Sequence, residues 1–224
     1  MLLTFLISAS LWTLYRHRDK KFMVDIVAKT GPRDIVQATA NVSTACSIAV
    51  LFGLNPRPEI FLAFLGSIAA VNADTWATEI GTLSQSRPRL ITTWHQTSPG
   101  TSGAVTPLGT LAGFAGSLMI AFLGMSFQWL DHSINQQILQ NNIPRAIAII
   151  TASGFLGSLV DSLLGATIQV RYFCPICQKM TEQPLHRGVH PTQYSSGIRW
   201  LNNDWVNFVC SLSGALIAFL LAQI

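Results

Sequence analysis

Three carboxylates stand at the ends of apolar stretches in this 224-residue chain: Asp74 and Glu79 within NADTWATEIGT, and Asp161 within VDSLLGATIQ. An ionisable side chain at bilayer depth is costly, so each is a functional candidate, against the plain alternative of a helix end where the acid meets water. With helical spacing, Asp74, Thr78 and Gly81 share one face, and Thr75 and Glu79 an adjacent one. Asp161, Gly165 and Gln169 likewise share a face, and Gly165, having no side chain, would let a ligand come between the two polar groups. Both segments run Asp, hydroxyl residue, Gly, a weak internal similarity of the kind that paired half-sites leave. Carboxylates and hydroxyls are the hard oxygen ligands of Mg²⁺, which binds alongside substrate phosphates. Asp74, Glu79 and Asp161 are therefore expected to hold Mg²⁺ and to form the catalytic set.

A phosphate cradle is expected nearby. Gly100, Thr101, Ser102 and Gly103 follow Pro99 and open the next apolar stretch. The glycines allow close backbone approach, the hydroxyls donate hydrogen bonds, and a helix start beyond them favours an anion. No GxxxxGK[ST] occurs, which excludes a P-loop NTPase. Arg87 and Arg89 are the cations of this loop, suited to clamping phosphate oxygens or to anchoring on lipid headgroups. Gln169 joins the phosphate-binding candidates. His95 reads as a loop residue. Arg33, Gln37 and Asn41 recur every fourth residue and so line one helical face, a candidate substrate contact. Asn203 and Asn207 are spaced the same way; Asn203 and Asp204 are also good N-cap residues.

The last polar loop carries Cys174-Pro-Ile-Cys177, then His186 and His190. The spacing C-x2-C-x8-H-x3-H can close a tetrahedral structural Zn²⁺ site, although its middle gap is shorter than in a zinc finger. An unliganded loop is the alternative. A redox pair would need a thioredoxin-like βαβ context, which the sequence lacks. Cys46 and Cys210 lie in apolar runs and read as packing residues.

These groups need a frame to position them. Half of the chain is hydrophobic and only 11% is charged, where a soluble domain carries about 25% charge. That composition excludes a disordered chain, a coiled coil and a disulfide miniprotein, and leaves an integral membrane protein. The expected fold is all-α, a single polytopic bundle with spans at about 2–15, 35–54, 60–73, 105–130, 146–166 and 205–222. The first run is followed by basic residues rather than preceded by them, so it reads as a short span and not a signal peptide. Gly109 and Gly113 form a GxxxG, read as ordinary helix packing. If residues 16–21 are cytoplasmic, alternating spans leave only Arg57 and Arg145 of the 14 Lys and Arg on the opposite side. The two long polar loops then face the cytoplasm and both termini lie opposite. The net charge of +4 is spread between apolar spans, which argues against a nucleic-acid partner.

Together the motifs resemble one membrane family. They are RxxxQxxxN from Arg33, NADTWATEIG at 72–81, PRLIT at 88–92, GTSG at 100–103, DSLLGATIQ at 161–169, CPxC from Cys174 and NNDxVN at 202–207. The set is similar to the family that includes phytyl-phosphate kinase of the tocopherol pathway and transmembrane protein 19. It covers the chain from about Asp25 onward, and the family is distantly related to CTP-dependent polyprenol, dolichol and phytol kinases. The resemblance implies phosphoryl transfer from a nucleoside triphosphate to an isoprenoid monophosphate, giving the diphosphate; Mg²⁺ and a lipid bilayer are the partners expected from the carboxylates and the apolar spans. Two departures stand out. Ala104 occupies the place of a second glycine after GTSG, and Arg187 follows His186 where many members carry a Cys; the second leaves His190 as a substitute ligand or no zinc at all. Two other functions fit the same residues: an ion-coupled transporter or lipid-binding protein, and a cytidylyltransferase acting on a lipid phosphate.

Overall fold

The computed structural model describes residues 1–15, 35–130, 142–186 and 189–224. Six helices occupy most of them: α1 (Leu2–Leu14), α2 (Ile35–Leu54), α3 (Pro58–Gly81), α4 (Pro107–Leu130), α5 (Ile143–Thr167) and α6 (Asn203–Gln223). The last four run 24, 24, 25 and 21 residues. At about 1.5 Å per residue each reaches the ~30 Å of a hydrocarbon layer. These four are long and apolar enough to cross a membrane, whereas α1 and the Thr39–Leu54 part of α2 are apolar but shorter.

The expected third span ended at residue 73. Instead α3 starts at Pro58, whose fixed φ suits a first helical turn, and runs unbroken through Asp74 to Gly81. Its acids therefore belong to helix faces. Among the described residues α3 is also the hub, packing on all five other helices. Of its membrane-length window 72% is buried, against 39% for α5 and for α6.

Small residues make that crowding feasible. A Cβ on Gly66 of α3 would lie 2.6 Å from the Ala218 Cβ and 2.7 Å from the Gly214 carbonyl oxygen of α6. A Cβ on Gly157 of α5 would lie 2.7 Å from the Ala70 Cβ. Gly109 and Gly113 of α4 rest against Ala77 and Ala73, the helix packing expected of that pair. In lipid, such backbone approach supplies the dispersion energy that a hydrophobic driving force cannot. Buried polar groups cross-tie the bundle. Ser8 Oγ donates to Asn72 Oδ1 at 2.8 Å, Asn72 Nδ2 to the Gly116 carbonyl at 2.8 Å, and Ser117 Oγ to the Thr151 carbonyl at 2.8 Å. Cys210 packs inside as expected; Cys46 is exposed.

The all-α expectation needs correction in the two long loops, which are folded. Between α3 and α4, β1 (Arg89–Leu90) pairs antiparallel with β2 (Ala104–Val105). Between α5 and α6, β3 (Arg171–Cys174) lies between β4 (Lys179–Thr181) and β7 (Gln193–Ser196), and β5 (Leu185–His186) pairs with β6 (His190–Pro191). Strands of two to four residues show too little alternation to be read from sequence.

Candidate active site

A cleft of about 190 Å³ opens between the facing ends of α3, α4 and α5 and the two folded loops. Asp74, Thr78 and Gly81 all line it, as their shared helical face predicted. Asp161 enters from α5 with Ser158 and Ser162. Residues 100–103, Gln169, Glu182 and Asn203 complete the wall. Segments far apart in sequence thus converge on one end of the bundle.

The 100–103 loop is held tightly. Gly100 and Gly103 have φ of +82° and +73°, a left-handed conformation that favours glycine. A Cβ on Gly103 would overlap the Ala166 nitrogen and the Ser162 carbonyl of α5. Thr101 Oγ1 donates to the Ser98 carbonyl at 2.8 Å, and the Ala104 N–H to the Thr101 carbonyl at 3.0 Å. Gly165 has a different role from the one expected. A Cβ there would lie 2.9 Å from the Gly103 nitrogen and 3.2 Å from Gln169 Oε1. The bare Cα admits the loop backbone rather than a ligand.

Two polar atoms lack partners at this cleft. Gln169 is 3% exposed, and its Nε2 makes no hydrogen bond; neither does the buried Asp161 Oδ2. Buried polar groups nearly always find partners, so these two call for one. Gln169 is fixed from behind. The Ile198 N–H donates to the Ile168 carbonyl at 2.8 Å, the Val170 N–H to the Leu201 carbonyl at 2.9 Å, and Gly197 (φ +91°) lies where a Cβ would overlap the Gln169 carbonyl. An unsatisfied donor and an unsatisfied carboxylate oxygen at one cleft suit a ligand of both signs, such as a metal–phosphate complex.

Several expected members stand elsewhere. Glu79 lies five residues beyond Asp74, which on a helix is about 140° around the axis. It accepts a 2.7 Å hydrogen bond from Thr13 Oγ1 of α1 and does not line the cleft. Arg87 and Arg89 are also outside the lining; Arg89 Nη1 donates to the Trp94 carbonyl at 2.8 Å. Among the described residues no Lys or Arg lines the cleft. Asn41 and Asn207 are buried but absent from the cleft wall. Gln37 lies in α2 with its side chain outside the described ones, and Arg33 is outside the described residues. Asn203 lines the cleft, but the cap of α6 is Asn202, whose Oδ1 accepts from the Asp204 N–H at 3.0 Å and the Trp205 N–H at 3.2 Å.

Sequence reasoning missed Glu182. Its carboxylate accepts a hydrogen bond from Ser102 Oγ, a partner 80 residues away. It follows β4 in a loop with no helical spacing to point to it, so no local pattern marks it.

Cys174, Cys177 and His186 come together, with ligand atoms within 4.8 Å of one another. Among the described residues no other set of three His, Cys, Asp or Glu does so. His190 pairs with His186 across β5 and β6 but is not part of the cluster, which corrects the four-ligand expectation. The Cys177 N–H points at Cys174 Sγ at 3.5 Å. Burial pushes the Cys174 thiol up, but the Cys177 N–H, the His186 side chain, the Ile176 N–H and the Cys177 side chain outweigh it and bring it to about 7. Two sulfurs and an imidazole, with a thiol so readily ionised, fit a zinc ion.

Residues 1–215 match the family model described as Integral membrane protein DUF92. The chain belongs to this family. DUF92 relatives include Protein PGR of Arabidopsis thaliana, 34% identical over 95% of this chain and 77% of its own length. An uncharacterized membrane protein of Methanocaldococcus jannaschii is 30% identical over 83% of this chain and 60% of its own. Protein VTE6, chloroplastic, of Arabidopsis thaliana is 25% identical over 87% of this chain and 48% of its own. The chain therefore spans about half to three quarters of these DUF92 relatives. No solved structure matches it.

Proposed function

We propose that this DUF92 protein is a membrane kinase. It moves the terminal phosphoryl group of a nucleoside triphosphate, CTP favoured, to an isoprenoid monophosphate such as phytyl phosphate. The product is the diphosphate that feeds tocopherol and quinone synthesis. The resemblance of its motifs to the phytyl-phosphate kinase family supplies the reaction. The observation that carries the reading is the cleft, where Asp74 and Asp161 meet the 100–103 loop and the unpartnered Gln169 Nε2.

Each group has a role there. Asp74 and Asp161 hold Mg²⁺, which when bound neutralises phosphate charge that no Lys or Arg of the described wall can meet. Gln169 and the loop N–H groups orient phosphate oxygens. An acceptor phosphate oxygen forms the new P–O bond, the bond to the leaving nucleoside diphosphate breaks, and the electron pair leaves with it. The acceptor is ionised at pH 7, so positioning and charge neutralisation suffice without a strong general base. The zinc cluster is structural. All six helices are read as spans, with the cleft on the cytoplasmic side by the Lys and Arg bias and the lipid tail between helices.

Purified protein is incubated with phytyl phosphate, Mg²⁺ and each of CTP, ATP, GTP and UTP, and products are identified with labelled nucleotide. A lipid diphosphate plus nucleoside diphosphate is expected. CDP-lipid plus pyrophosphate would make the protein a cytidylyltransferase instead. Substrate flux into proteoliposomes without nucleotide turnover would make it a transporter.

A further inference from the structure

We infer that the turn at residues 198–201 is a bilayer-surface anchor: its tip seats in the headgroup layer of anionic lipid, and its two ends hold Gln169 in place. The inference stands apart from phosphoryl transfer and needs only that α6 meets the membrane edge at its first turn.

The turn closes on itself. The Leu201 N–H donates to the Ile198 carbonyl at 2.9 Å, which leaves Arg199 and Trp200 at the two central positions. Both are exposed, Trp200 to 64%, whereas Leu201 is 5% exposed. The tip is braced from β7. The Tyr194 hydroxyl donates to the Gly197 carbonyl at 2.5 Å, and the Arg199 guanidinium lies 4.9 Å from the centre of the Tyr194 ring. The ends of the turn reach the other way. The Ile198 N–H donates to the Ile168 carbonyl, and the Leu201 carbonyl accepts from the Val170 N–H. Ile168 and Val170 flank Gln169, so one turn joins an exposed tip to the backbone of the buried amide at the cleft.

What covers the tip follows from α6. The chain belongs to an integral membrane family, and α6 is long and apolar enough to cross a bilayer. Trp205, Leu212, Leu216 and Leu220 recur at helical spacing and are all exposed, so they form one outward stripe that faces lipid. Trp200 extends this stripe beyond the helix. Its ring centroid lies 6.0 Å from that of Trp205, edge to face, and the Trp205 and Phe208 centroids are 5.9 Å apart. Between the two tryptophans Asn202 caps the helix with polar bonds, which marks the level where hydrocarbon gives way to water. Indole rings favour that level, because the ring is apolar and its N–H seeks a polar partner. Arg199 adds a cation at the same height, where the phosphates of anionic lipids lie.

The test places the full chain in lipid nanodiscs. Tryptophan fluorescence is quenched by lipid brominated near the headgroup, by lipid brominated near the chain end, and by aqueous acrylamide. The difference between wild type and Trp200→Phe isolates Trp200. Bromine near the headgroup is expected to quench it most. Quenching is expected to increase when phosphatidylglycerol replaces phosphatidylcholine, and Arg199→Gln abolishes that increase. Hydrogen exchange reads the clamp: Trp200→Ser speeds exchange at the Val170 amide about tenfold and leaves the β3–β4 ladder unchanged. If Trp200→Ser does not purify as folded protein, wild type in the two lipids takes its place, with slower Val170 exchange expected in phosphatidylglycerol. Strong quenching by acrylamide with none by either lipid would overturn the anchor, since the tip would then face water or a soluble partner. Strongest quenching from the chain end would overturn the headgroup assignment. Equal quenching in the two lipids would overturn the role of Arg199, and unchanged Val170 exchange would overturn the hold on Gln169.

Discussion

The helical wall of the cleft presents Asp74, Thr78 and Asp161 from α3 and α5, whereas the opposite wall presents Ser102 and Glu182 from loops joined by a bond across 80 residues. On the helical wall, position follows from rotation. Each residue turns the chain about 100°, so one acid on the right face fixes its neighbours at i+4 and i+7. On the loop wall, position follows from closures: two left-handed glycines, a pair of two-residue strands and a sulfur cluster. A helical wall tolerates changes that keep the face. A loop wall fails when any one closure is lost.

The largest effect expected breaks the helical wall. Asp161→Asn or Asp74→Asn lowers lipid diphosphate formation on the order of a thousandfold, while Glu79→Gln, one face away, stays within about threefold, all read as product per minute under saturating substrate. Next comes the loop wall. Gly103→Ala forces a side chain into the α5 backbone and shifts the whole phosphate loop, so turnover falls about a hundredfold with the helical content by circular dichroism unchanged. The cysteine hairpin follows. Metal analysis finds zinc in wild type and in His190→Ala but not in Cys177→Ser, whose turnover drops about tenfold. The smallest effect sharpens the boundary between the two walls. Asn202→Ala removes the cap of α6 and costs about 1 kcal/mol, seen as a lower thermal midpoint in detergent with turnover nearly intact.

Legibility divides along the same line. The helices and the acids on them were readable because apolar runs and helical spacing are local signals. Asp74, Thr78 and Gly81 were placed together correctly for that reason, whereas Glu79, read on the adjacent face, was still grouped with Asp74 and Asp161 as a metal ligand because it shares their motif and chemistry, and that face turns it to Thr13 instead. The 100–103 loop and Gln169 were readable as polar islands beside spans. Glu182 was not, since its position depends on a hydroxyl 80 residues earlier. Cys174, Cys177 and His186 were legible by spacing, yet His190 shows that spacing alone does not decide which imidazole turns inward. Gly165 looked like room for a ligand because the loop that fills it lies elsewhere in the sequence.

The central place of α3 carries a consequence for how such chains diverge over time. Every other described helix leans on it, and several of its closest contacts, at Gly66, Ala70, Ala73 and Ala77, are made between small residues with no slack. A substitution there demands simultaneous accommodation by more than one neighbour, whereas the outer faces, where Leu111, Leu156, Leu212 and Leu216 are exposed, answer to little more than hydrophobicity. Drift in this family should therefore be radial: fast at the periphery, slow along one axial helix, with the sequence of α3 serving as the surest marker of descent.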